Sequence, residues 1–110
     1  MENIFNLQEL MNKFKGSEHS YNEFFNTSSM SVGIYELKAG EIDTQQPHTE
    51  DELYFIISGE SQMFVGENHF TVKDGSFVFV EKNVKHQFYD IKKDLTVIVI
   101  FSPAEYTLAK

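Results

Sequence analysis

An all-β fold with a short helical start is what this sequence predicts, and three observations carry the prediction. Helical periodicity is confined to the first fifteen or so residues. Beyond them the chain is a series of short runs rich in β-branched and aromatic residues. Those runs are separated by turn-forming pairs at close, regular spacing, the pattern of a sandwich or barrel.

The helix comes first. Asn6 followed by Glu9 fits a capping box, and Leu7, Leu10, Met11 and Phe14 recur at helical spacing. Gly16 supplies the stop. Strands are predicted over Tyr21–Phe25, Met30–Leu37, Leu53–Ser58, Gln62–Val65, His69–Val72, Phe77–Val80, His86–Tyr89 and Leu95–Phe101. Ala39-Gly40, Ser58-Gly59, Gly66-Glu67-Asn68, Asp74-Gly75, Lys82-Asn83 and Lys92–Asp94 read as the turns between them. Seven or eight strands fit in 110 residues, and no linker, repeat or low-complexity segment divides them. One domain over residues 1–110 is expected.

Composition narrows the function. Apolar residues make up 41% and aromatics 15%, with eleven Phe, which is the make-up of a packed globule. A net charge of −8 argues against nucleic acid and against an anionic membrane surface as partners. All nine basic residues are Lys, so the Arg fork that commonly grips phosphate is missing, which argues against a phosphosugar or nucleotide site. With no cysteine, thiolate metal sites, disulfides and cysteine nucleophiles are excluded. The start, MENIFNLQEL, lacks the basic and apolar regions of a signal peptide, and Leu95–Phe101 is far too short to cross a bilayer. A cytoplasmic protein is the expectation.

Four histidines can carry chemistry. His19 and His69 lie in polar turn contexts and read as surface residues. His48 and His86 differ. His48 opens the stretch HTEDELYFI, with Glu52 four residues on. On one straight strand these would stand about 13 Å apart, near the limit for sharing an ion bonded at roughly 2.0–2.2 Å. Pro47 and the polar residues Thr49 to Asp51 suit the bend that sharing would require. Strand alternation puts Gln46 on the face of His48 and Gln45 on the other. It also joins Glu52 to Tyr54 and Ile56, and His86 to Phe88. A carboxylate and imidazoles on faces that continue as apolar interior need a partner, and a divalent cation would satisfy both. The blander alternative is a polar pocket without metal.

Two spaced motifs sharpen this. The first is Gly40, EIDTQ, Gln46-Pro47-His48, TED, Glu52, LYFIIS and Gly59; the second is Gly75, SFVFV, Glu81-Lys82-Asn83, VK, His86, QFY and Asp90. Over residues 30–102, with the motifs at 40–59 and 75–90, the chain resembles the cupins, as a small member carrying both motifs of that superfamily. It departs at Gln46, where the usual first histidine is replaced, and at Glu81, Asn83 and Asp90, where Pro, Gly and Asn are usual. Asn83 tolerates a left-handed turn almost as glycine does.

The resemblance implies a double-stranded β-helix, the jelly-roll barrel. It implies that Gln46, His48, Glu52 and His86 occupy four metal-ligand positions, with Glu50 and Asp51 the solvated turn between them. Either Gln46 coordinates weakly through its carboxamide oxygen, or it stands behind a set of two histidines and one carboxylate, the arrangement associated with non-heme Fe(II). One divalent ion per chain is expected, from Fe, Mn, Ni, Co or Zn. Tyr54 and Phe88 are expected to line the pocket beside it. Fold does not fix function. The expectation is a metal-dependent, oxygenase-like enzyme acting on a small organic substrate. The alternative is a non-catalytic module that binds a small molecule or metal. A homodimer is expected, covering open edge strands and the aromatic stretch around Phe24 and Phe25.

Overall fold

The computed structural model describes residues 2–108. It contains helix α1 (Leu7–Phe14) and strands β1 (Tyr21–Asn26), β2 (Ser31–Leu37), β3 (Asp51–Val65), β4 (Asn68–Lys73), β5 (Phe77–Val80) and β6 (His86–Ser102). The helix starts where the capping pattern puts it: the Asn6 side chain accepts a hydrogen bond from the Glu9 amide at 3.1 Å. Phe5, just ahead of the cap, packs edge-on against Phe24 and Phe25 at centroid distances of 5.3 and 5.7 Å. The β1 aromatics are thus partly covered by the chain's own N-terminal segment.

Six strands replace the predicted eight, because two of the expected turns are bends inside long strands. β3 runs through Ser58-Gly59 and β6 runs through Lys92–Asp94. The pairing of β3 with β6 slips at Ile56/Ser58, Ser58/Glu60 and Glu60/Gln62, so both strands fold over together without separating. Gly59 makes this close approach workable. Its φ is 116°, and a Cβ there would collide with the backbone carbonyl of Asp94.

All strand pairs are antiparallel. The bends split the pairing into two layers. β1, β2, the second half of β6, the first half of β3 and β5 form one; the first half of β6, the second half of β3 and β4 form the other. This is the jelly-roll arrangement expected, although hydrogen bonding follows an open path from β1 to β4 and does not close into a ring. Alternate residues of each strand fill the space between layers. Tyr54, Ile56, Met63, Val72, Val80, Phe88, Leu95, Val97, Val99 and Phe101 are all buried, each large apolar side chain contributing about 1.5–3 kcal/mol.

Two turns set up the polar end of this core. The Asn83 amide donates to the His48 carbonyl at 2.6 Å, and the Lys82 amide donates to Asp51 Oδ1 at 2.9 Å. Asn83 has φ 64°, the left-handed conformation anticipated for the residue standing where glycine is usual. The β5–β6 turn is thereby stapled to the segment before β3. That staple brings His86, at the start of β6, to His48.

Candidate metal centre

His48, Glu52 and His86 converge, as the spacing argument required. Glu52 Oε2 lies 3.3 Å from His48 Nδ1 and 3.1 Å from His86 Nε2. His86 and Glu52 are buried at 1% and 2% exposure. The chain does bend between His48 and Glu52: β3 begins only at Asp51, and His48 precedes it in irregular backbone.

Whether a cation fits is decided by the atoms left without partners. His48 Nδ1, Glu52 Oε2 and His86 Nε2 are each buried, and their mutual approaches do not make hydrogen bonds. Three buried polar atoms in this condition would cost several kcal/mol together. One oxygen and two nitrogen donors aimed at a common point suit a divalent ion of the Fe, Mn, Ni, Co or Zn type. The far side of each group is occupied. His86 Nδ1 lies 2.8 Å from the Val84 carbonyl, which fixes the proton there. Glu52 Oε1 accepts from the Tyr54 hydroxyl at 3.0 Å.

The charges follow from this packing. Burial alone would lower the pKa of His48, but contact with the carboxylates of Glu105 and Glu52 outweighs it and raises the value to about 9. Burial pushes the Glu52 carboxyl up, and the two imidazoles more than offset this and hold it below its ordinary range. Burial, then the charge of Glu52, raise the Tyr54 hydroxyl well above its usual value. Tyr54 is therefore a neutral donor at every ordinary pH.

A cavity of about 470 Å³ opens beside the cluster. Its wall includes Tyr21, Tyr35, Tyr54, Phe101 and Tyr106, with Glu105 and the two glutamines at 45 and 46. The Tyr21 ring lies against Gly33, where any Cβ would clash with the ring. Strand alternation in β1 and β2 could have found Tyr21 and Tyr35, which pair across the sheet. No pattern in the sequence pointed to Glu105 or Tyr106.

Three expectations are corrected by this geometry. Residues 41–48 are not strand, so alternation does not apply there: Gln45 turns inward, its Oε1 facing the Tyr54 hydroxyl at 3.0 Å. Gln46 is exposed at the cavity edge and its amide reaches the Thr44 carbonyl at 3.4 Å. Glu50 is fully buried rather than solvated. It accepts hydrogen bonds from Thr49 and from the amides of Tyr106 and Leu108, because the chain after β6 folds back over it. Tyr54 lines the cavity as expected, but Phe88 does not; it sits behind Tyr54, stacked at 5.8 Å, in the half of β6 that belongs to the other layer. His19 and His69 are exposed, as read.

A bent antiparallel jelly roll with a buried His–Glu–His cluster at one end is the architecture of a cupin. The family model for the cupin domain matches residues 33–101, and the chain belongs to this family. An uncharacterized protein of Streptomyces coelicolor is 43% identical over 101 residues, covering 92% of this chain and 96% of its own. An RmlC-like cupin family protein with a double-stranded β-helix fold, from Methanocaldococcus jannaschii, superposes with a TM-score of 0.71 at 19% identity, over 94% of this chain and 92% of that one. A DMSP lyase from Ruegeria pomeroyi has a TM-score of 0.67 at 18% identity, over 81% of this chain and 53% of the lyase. At those identities the two structures are similar in fold alone.

Proposed function

We propose that this chain is a metal-dependent, oxygenase-like enzyme acting on a small organic substrate, with one divalent ion held by His48, Glu52 and His86. The observation that carries this reading is the trio of buried, unpartnered donor atoms beside the tyrosine-lined cavity, whose wall His48 and Glu52 join. An ion there would supply Lewis acidity and, as Fe(II), redox chemistry toward dioxygen. With Glu52 as its one carboxylate, such a centre carries about one net positive charge, which suits an anionic or enolisable oxygen on the substrate. Aromatic rings make up much of the cavity wall, and Tyr54 holds Glu52 in place while remaining protonated. Gln46, at the cavity edge, contacts substrate in this reading and contributes little to holding the ion.

The second reading is a non-catalytic binding module. It is favoured by the tyrosine hydroxyls, since Tyr21, Tyr35 and Tyr54 are all held above their usual pKa, chiefly by burial, and so stay protonated and do not serve as bases. Elemental analysis of protein purified without added metal, then dioxygen uptake by the Fe(II)-loaded chain with a panel of small enolisable acids, separates the two. Ion uptake with substrate-dependent oxygen consumption supports the enzyme. Stoichiometric ligand binding without product supports the module. A chain that takes up no divalent ion overturns the catalytic reading.

We also infer a homodimer, with the whole chain acting as one unit in the cytoplasm. Phe24 and Phe25 are partly covered internally, so the apolar surface to be hidden lies elsewhere. Leu53, Phe77 and Phe79 are exposed at 37%, 67% and 59% on β3 and the edge strand β5. A second copy pairing over that face would cover them.

A further inference from the structure

We propose that the segment following β6 is part of the metal centre, with Glu105 as the positioning residue for His48. Glu105 holds Nε2 of the ring, so that Nδ1 is the atom presented to the ion. This rests on the metal-binding reading above and goes beyond it by assigning a residue outside the region the family model matches, which ends at 101.

Imidazole has two nitrogens, and the hydrogen bond made by one decides which is free to bind a metal. At His86 the Val84 carbonyl takes Nδ1 and leaves Nε2 facing Glu52. At His48 the arrangement is reversed. Glu105 Oε2 lies 3.2 Å from Nε2, on the side away from the cluster, and Nδ1 faces Glu52. Glu105 is itself held in place. Its amide donates to the buried Ser31 hydroxyl at 2.8 Å. The next turn is latched by the buried Glu50 carboxylate, which accepts the Tyr106 amide at 2.8 Å and the Leu108 amide at 2.9 Å. Among the described residues Glu105 is the one polar partner of Nε2, so without it the ring is free to rotate and exchange its nitrogens.

The test uses the full chain with ¹⁵N-labelled histidine and Zn(II) as the probe ion. Two-bond proton–nitrogen spectra report which ring nitrogen is metallated and which is protonated; exposed His19 and His69 act as internal references. We expect His48 metallated at Nδ1 with Nε2 protonated, and His86 the other way round. Glu105→Ala should weaken Zn(II) binding by about 10–100-fold and blur the His48 pattern while leaving that of His86 intact. Glu105→Gln should recover most of the affinity, because its amide oxygen also accepts the Nε2 proton. Wild-type His48 metallated at Nε2 overturns the proposal and leaves the metal site standing. So does an unchanged affinity in Glu105→Ala. The wild-type spectrum needs no variant, so a poorly folded Glu105→Ala does not rescue the idea. Failure of the wild-type chain to take up Zn(II) removes the metal reading itself, and this proposal with it.

Discussion

Glu50 offers the most direct test of how the segment after β6 is held. Its carboxylate is fully buried and serves two backbone amides, those of Tyr106 and Leu108, besides the Thr49 hydroxyl. Burial would raise its pKa, and these three donors more than offset that and keep it below the ordinary carboxylate range. Hydrogen bonds to a charged acceptor are each worth about 1.5–3 kcal/mol. Glu50→Ala removes the acceptor and leaves the two amides stranded if the segment stays docked, a loss of about 3–6 kcal/mol by the same figures. The segment can instead peel away and let water satisfy the amides, which caps the cost. We therefore expect a loss of about 3 kcal/mol, lowering the melting temperature by roughly 10 °C for a domain of this size. Glu50→Gln keeps a neutral oxygen for one amide and should lose about half as much. Scanning calorimetry of the metal-free proteins measures both, and limited proteolysis shows whether the segment has come free. A Glu50→Ala protein that melts with the wild type and resists cleavage after residue 102 would refute the latch.

Three further outcomes are expected. In calorimetric titration, His48→Ala or His86→Ala should abolish uptake of Mn(II) or Zn(II), each having removed a nitrogen donor from the cluster, whereas Gln46→Ala should change it little; equal damage from all three would mean the ligands are wrongly ranked. The metal-free chain should be most stable between about pH 4.5 and 6.5. Lowered Glu50 and Glu52 contribute above their unfolded value near 4.5 and lose that contribution as the pH falls through their folded values. Raised His48 contributes fully below 6.5 and loses that contribution as the pH climbs through about 9; a melting temperature that rises from pH 6.5 to 9 contradicts the pairing. For the dimer, light scattering should give twice the mass of one chain, and replacing the exposed Phe77 and Phe79 together with Lys should halve it; a wild-type monomer at micromolar concentration ends that reading.

How much of this could be read from the sequence depends on the range of the interactions involved. The capping of α1 by Asn6, the left-handed Asn83 and the apolar faces of β3 and β6 are set by neighbouring residues, and each stood where the pattern put it. His48, Glu52 and His86 were legible for a different reason. Fixed spacing before and after two strands leaves few ways to bury two imidazoles and a carboxylate, and those strands pair directly: Glu52 lies opposite Val80 and Phe101. The misreadings cluster where local rules gave two answers. Ser58-Gly59 is turn-like in composition, but Gly59 serves a backbone crossing with Asp94 thirty-five residues away. Glu50 looked solvated because its neighbours are polar, and besides Thr49 the donors that satisfy it in the interior are the distant amides of Tyr106 and Leu108.

The same distinction bears on what separates this chain from others with its fold. The cluster is built from the two motifs, within the region the family shares. The groups that face His48 Nε2 and line the cavity beside it come from residues 105 and 106, beyond that region, and from Tyr21, ahead of it. Chemistry placed on the shared strands can be held constant while these flanking residues change the cavity's shape, its hydroxyls and the charge beside the cluster. Substrate choice should therefore follow Tyr21, Glu105 and Tyr106 more closely than it follows the cluster. Exchanging Tyr21 and Tyr106, which do not touch the donor atoms, ought to alter which ligand binds while leaving any ion uptake at one per chain.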